Sequence, residues 1–137
     1  MVSAKLRTRD IGMLVFDGFQ LLDAAGPLGA FEMPMRGMSP PPYRLPLYSL
    51  GGGPVRASCG LLMMTEALPP GLKLDTLIVS GGEGTREAMS DEALLEAIRD
   101  LSQRTRRTCS VCSGSFVLAA AGLLKGRSAT THWRRSE

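Results

Sequence analysis

The stretch Arg107-Thr-Cys-Ser-Val-Cys-Ser-Gly-Ser-Phe-Val-Leu-Ala-Ala-Ala-Gly122 decides how the rest of the chain is read. A short β-prone run ends at Val111. Cys112 follows, then two small residues, Ser113 and Gly114, and the apolar helix-forming run Ser115 to Ala121 stops at Gly122. A strand that turns sharply into a helix with a nucleophile at the bend is a nucleophile elbow. The bend holds its residue in a strained, exposed conformation, so the neighbours must be small. The new helix aims free backbone N–H groups at the bend, which favours a thiolate or an oxyanion there. The competing reading is a buried structural cysteine at a strand end, because free Cys commonly packs as a small hydrophobe.

Working outward, Ile11-Gly-Met-Leu-Val-Phe16 and Asp75-Thr-Leu-Ile-Val-Ser80 are continuously apolar runs of strand length, as expected of strands buried on both faces. Each ends in turn chemistry, at Asp17-Gly18 and Gly81-Gly-Glu-Gly84. Phe19-Gln-Leu-Leu-Asp-Ala-Ala25 opens a helix that Gly26-Pro27 is expected to interrupt before Leu28–Met33 resumes it. Tyr43–Leu50 reads as a strand, with Pro46 arguing for an edge position. Val55–Ala57 and Leu61–Thr65 form a ribbon around Ser58-Cys59-Gly60, with Cys59 a bystander. Ser90 is the expected N-cap of a helix whose stripe is Leu94, Leu95, Ile98 and Leu101. Arg104, Arg106 and Arg107 read as a solvated helix end.

Strands alternating with helices predict an α/β fold with a mainly parallel sheet. In such sheets ligands gather at the carboxyl ends of the strands. Asp17–Asp23, Gly81–Gly84 and Cys112–Ser115 all fall there, so a thiol, a carboxyl and backbone donors converge. Asp23 has two readings, a solvated helix acid or a carboxyl set in front of the nucleophile. The Gly81–Gly82 turn lets the backbone approach closely and present N–H donors. It lacks G-x-G-x-x-G spacing. Gly51-Gly-Gly-Pro54 could cradle a phosphate, but no Lys-Ser/Thr follows it, so that reading carries little weight.

Composition narrows the function classes. The 137 residues hold one domain; 44% are apolar and 21% charged, so the chain is neither disordered nor fibrous. A net charge of +3 with dispersed basic residues implies no nucleic-acid groove, and the chain has too few aromatics for a base-stacking surface. No apolar run reaches membrane-spanning length, and the N-terminus lacks a signal-peptide core. Three cysteines, Cys59, Cys109 and Cys112, with no secretory context point to free thiols in a cytoplasmic setting. Cys109 and Cys112 form C-x-x-C, but Cys109 belongs to the strand and no second pair exists, so no metal site is expected.

Four segments carry a resemblance: Phe19–Pro27, Val79-Ser-Gly-Gly82, Ser110–Ser115 and Ala119-Ala-Ala-Gly-Leu-Leu-Lys-Gly-Arg-Ser-Ala-Thr-Thr-His-Trp133. Together they resemble the ThiJ/PfpI superfamily, the class I glutamine-amidotransferase-like fold, from about Ile11 to Trp133. The resemblance implies a flavodoxin-like three-layer sandwich. It makes Cys112 the nucleophile, Asp23 its acidic partner, and Gly82 and Ser113, with Gly81 beside them, donors to an oxyanion or ligand. His132 matches a His often found near the site, although a His beside Trp is also commonly structural. No cofactor is implied. Ser113 stands where superfamily proteases carry a His after the nucleophile, and no later His–Glu pair for a glutaminase is present.

Two branches look nearest. One is the sensor domain of AraC-type transcriptional regulators, whose wording Gly52–Ser58, Asp75–Val79 and Phe19–Asp23 resemble more closely. The other is isocyanide hydratase. The first implies a small-molecule ligand, a homodimer, and DNA contact only through a helix-turn-helix module outside these residues. The resemblance divides the chain into a ragged start at 1–10 and the family domain at 11–137, with further elements of the fold expected beyond residue 137.

Overall fold

A computed structural model describes residues 7–136. Seven strands form one sheet: β1 (Arg9–Leu14), β2 (Tyr43–Arg44), β3 (Leu47–Ser49), β4 (Gly53–Arg56), β5 (Leu62–Ala67), β6 (Thr76–Val79) and β7 (Arg107–Ser110). Their order is β4-β5-β3-β1-β6-β7, with β2 paired to β1. Every pairing is parallel except the β4–β5 ribbon. The helices are α1 (Leu21–Glu32), α2 (Thr85–Ala88), α3 (Glu92–Gln103) and α4 (Gly114–Ala120). The expected α/β fold with a mostly parallel sheet is therefore present.

The two-sided burial of the central strands is visible residue by residue. Ile11, Met13 and Val15 pack with Ile78, Phe19 and Ala24 on the face that α1 covers. Leu14, Leu77 and Val79 pack on the other face against Leu94, Leu95, Ile98 and Leu101 of α3 and Val117 and Leu118 of α4. Alternate residues of a strand point to opposite faces, so an unbroken apolar run fits a sheet that helices cover on both sides.

Three local expectations are corrected. Gly26-Pro27 does not break α1, which runs through Pro27. Pro27 simply has no N–H to give to the Asp23 carbonyl one turn back. Pro46 does not lie on an edge strand. It separates β2 from β3, and its carbonyl accepts from Met13 N at 3.0 Å, while β3 sits between β1 and β5. The cap of α3 is Asp91, whose carboxylate accepts from Leu94 N at 3.1 Å. Ser90 instead closes the end of α2, its hydroxyl donating to Arg86 O at 3.4 Å.

The basic cluster is also engaged. Arg104 grips Asp100 through both terminal nitrogens at 2.7 and 2.8 Å, and Arg106 grips Asp75 at 2.8 and 2.9 Å. The first pair closes the end of α3 on itself, and the second ties the residue before β7 to the residue before β6. Arg107 is exposed in β7, not at a helix end.

Candidate functional site around Cys112

The chain crosses from β1 to β3 on one side and, through β6 and β7, to the other. The crevice between such oppositely wound halves lies at the carboxyl ends of β1 and β6. Three turns meet there. Cys112 follows β7 with φ +54°, alone among the described non-glycine residues in the left-handed region. That conformation costs an ordinary L-residue about 1–2 kcal/mol. It turns the side chain out of the strand while α4 begins two residues later at Gly114. Gly114 is required by approach: a Cβ there would stand 2.5 Å from Val79 O and 2.6 Å from Ser80 O. The positive φ and the tight glycine make a sharp strand-to-helix bend, and Cys112 is half-buried rather than sealed in the core.

Asp23 lies in the first turn of α1 and is buried, with 8% of its surface exposed. The solvated-acid reading of Asp23 is therefore set aside. Its carboxylate accepts from Gly81 N at 3.1 Å, across 58 residues of chain. Burial raises its pKa above the ordinary aspartate value. The Gly81 N–H, the Cys112 thiol beside it and the nearby charge of His132 pull it down in part, and the net shift is upward. Asp23 thus holds a proton to higher pH than a solvated aspartate, next to a thiol.

The Gly81–Gly82 turn is used more completely than its sequence suggests. Gly81 O accepts from Gln20 N at 2.9 Å, and Gly82 N donates to Ser113 Oγ at 3.1 Å. Because Gly81 N serves Asp23, both N–H groups of the turn already have partners. Ser113 brings its hydroxyl to the turn, and a Cβ on Gly81 would stand 2.6 Å from Ser113 N. The sequence missed Thr85, whose hydroxyl joins this network at 2.8 Å from Ser113 Oγ. A lone Thr after a glycine turn carries no signal of its own.

His132 belongs to the last described segment, which passes over the elbow: Thr131 Oγ1 donates to Cys112 O at 3.3 Å. His132 Nδ1 accepts from Arg134 N at 3.3 Å and caps the 3-10 turn Trp133–Arg135, while its ring stacks on Trp133 at 5.7 Å. It therefore has a structural hydrogen bond and also lies close enough to act on Asp23 electrostatically. Cys59 and Cys109 are exposed free thiols, and no group of three or more potential metal ligands occurs among the described residues. A cavity of about 770 Å³ lies at the opposite, amino-terminal end of the strands, lined by Arg9, Tyr43, Lys73, Asp75, Arg104 and Arg106 among others.

The DJ-1/PfpI family profile matches residues 9–137. The chain belongs to the DJ-1/PfpI family. A protein of Streptomyces lividans, known from the cpoL 5′ region, is 42% identical over 125 residues, covering 90% of this chain and 87% of that one. Isonitrile hydratase of Pseudomonas putida is 40% identical over 124 residues, covering 90% of this chain and 52% of the enzyme. The HTH-type transcriptional regulator GbdR of Pseudomonas aeruginosa is 32% identical over 126 residues, covering 91% of this chain and 34% of the regulator. The crystal structure of a ThiJ/PfpI family protein from Pseudomonas syringae superposes with a TM-score of 0.78 at 34% identity, covering 93% of this chain and 51% of that one. The chain thus spans about half the length of the hydratase and about a third of the regulator. Among the described residues no helix is long and apolar enough to cross a membrane.

Proposed function

We propose that this chain is a ligand-sensing DJ-1/PfpI domain of an AraC-type transcriptional regulator, with a small metabolite held at the Cys112 elbow. The observation that carries the proposal is the state of the site. A strained thiol stands beside a buried carboxyl whose pKa burial raises, while the N–H groups of Gly81 and Gly82 are already taken by Asp23 and Ser113. Such a site can grip a small polar molecule but keeps no free donor in that turn for the oxyanion of acyl transfer. Relatives that are named regulators support the same reading. DNA contact would come from a helix-turn-helix module outside these residues, and the protein would work in the cytoplasm as a homodimer. Leu61, Leu62 and Met64 on and beside β5 are exposed and apolar, which suits association.

A second reading is favoured by the 40% identity to isonitrile hydratase. In it Cys112 Sγ attacks the isocyanide carbon, Asp23 supplies and recovers the proton, and water completes an N-formamide, R–NC plus H₂O giving R–NH–CHO. The test is to express the native gene product with its complete reading frame and add cyclohexyl isocyanide. Formamide produced by that protein, and lost in Cys112→Ala, would replace the sensor reading with the enzyme. No turnover, together with retention of the protein on its own promoter DNA, is the result expected of the sensor.

A further inference from the structure

The backbone N–H and C=O of Gly82 and the hydroxyls of Ser113 and Thr85 close into a ring. Thr85 Oγ1 lies 2.7 Å from Gly82 O, which as a carbonyl can only accept, so the Thr85 proton goes there. The 2.8 Å contact between Thr85 and Ser113 must then be donated by Ser113. Ser113 Oγ in turn accepts from Gly82 N at 3.1 Å. The alternative acceptor for Ser113, Gly82 O, is 3.5 Å away and much poorer. Each hydroxyl thus donates once and accepts once, and both Thr85 and Ser113 are buried, at 6% and 4% exposure. Closed chains of buried hydrogen bonds polarise one another and hold their members in one arrangement.

We infer that Thr85 is a positioning residue for the Cys112 site, acting through this ring rather than by touching a ligand. The Gly81–Gly82 turn is the shared support of the site: Gly81 N holds the Asp23 carboxylate and Ser113 is the residue after Cys112. Thr85 is the only ring member outside the elbow and the turn. Its hydroxyl fixes the direction of the Gly82 carbonyl and, through Ser113, that of the Gly82 N–H. Removing it leaves the Ser113 proton without a good partner, and Gly82 O with only the 3.2 Å backbone bond from Thr85 N. The turn then relaxes, and both the Asp23 anchor and the elbow lose a support. The inference stands on the geometry of the thiol and holds whether the site senses a ligand or turns one over.

The test has two parts. In the unaltered protein, amide hydrogen exchange of Gly82 is followed by NMR. The ring requires that amide to be protected, and exchange at the rate of a free amide overturns the inference. In the second part, iodoacetamide labelling of Cys112 is timed by mass spectrometry, with peptide fragmentation separating it from Cys109 and with exposed Cys59 as the internal standard. Thr85→Val, which keeps the shape and loses the hydroxyl, is expected to slow labelling of Cys112 about fivefold, the scale of one buried hydrogen bond. Thr85→Ser, which restores the hydroxyl, should stay within about twofold of the unaltered protein on the same scale. Unchanged labelling in the Val variant, or an equal loss in Val and Ser, refutes the positioning role. Distinguishing sensor from enzyme does not enter, since no ligand or turnover is read.

Discussion

The left-handed Cys112 makes a quantitative prediction about stored strain. Its φ of +54° is open to glycine at no steric cost, whereas any residue with a Cβ pays about 1–2 kcal/mol there. Comparing Cys112→Gly with Cys112→Ala isolates the term, because both lose the thiol and its contact with Asp23 and differ only by one methyl group. Against the relief stands the greater freedom of glycine in the unfolded chain, about 0.4–1 kcal/mol. The difference leaves Cys112→Gly more stable than Cys112→Ala by about 0.5–1 kcal/mol. For a domain of this size that is about 2–4 °C in Tm. Urea unfolding of both variants, with equal m-values as the check that only stability has changed, gives the number directly. An Ala variant as stable as the Gly variant, or more so, would show that the elbow carries no strain. The usual reading of such strain is that a functional site retains it against stability.

Three further predictions follow from the buried and paired groups. Asp23 has a raised folded pKa, so its contribution is fully present below the unfolded value of 3.8 and is lost as pH rises through the folded value. Asp23→Asn should therefore gain stability relative to the unaltered protein between pH 4 and pH 7 in urea titrations; a difference that stays flat or shrinks would contradict the burial argument. Asp75 behaves oppositely: the Arg106 guanidinium, ahead of the Thr76 hydroxyl and Arg9, holds its pKa down to about 2. Its contribution is present above 3.8 and fades as pH falls through about 2. Arg106→Ala should lower stability at neutral pH, only modestly because the guanidinium is exposed, and the cost should shrink in acid in urea titrations. Ser80 Oγ is fully buried without a hydrogen-bond partner, so Ser80→Ala should be neutral or stabilising by up to about 1 kcal/mol in thermal melts. A loss above that would reveal a partner that the geometry lacks.

Much of the fold was legible because its signals are local. The runs around Met13 and Ile78 announce strands by being apolar at every position, and Leu94, Leu95, Ile98 and Leu101 announce a helix face by their spacing. The bend at Cys112 is legible for the same reason: small residues stand between a β-prone run and a helical one. Where local signals compete, the sequence alone chose wrongly. Ser90 and Asp91 are both good caps, and α2, too short to announce itself, took the serine and left α3 to the aspartate. Pro46 looks like an edge marker, yet its missing N–H costs nothing at the break between β2 and β3, where only its carbonyl is needed.

The sequence by itself determined the alternation of strands and helices, the position of the bend and the identity of the thiol at it, because periodicity and turn chemistry act over a few residues. Only the tertiary structure decided that Asp23 is buried, that its carboxylate reaches Gly81 across 58 residues, and that Thr85 closes a ring with Ser113. It also decided that the N–H groups of Gly81 and Gly82 face protein atoms instead of open solvent. Hydrogen-bond direction and desolvation depend on which groups meet once the sheet has ordered its strands, and residues far apart in sequence carry no pattern that records the meeting.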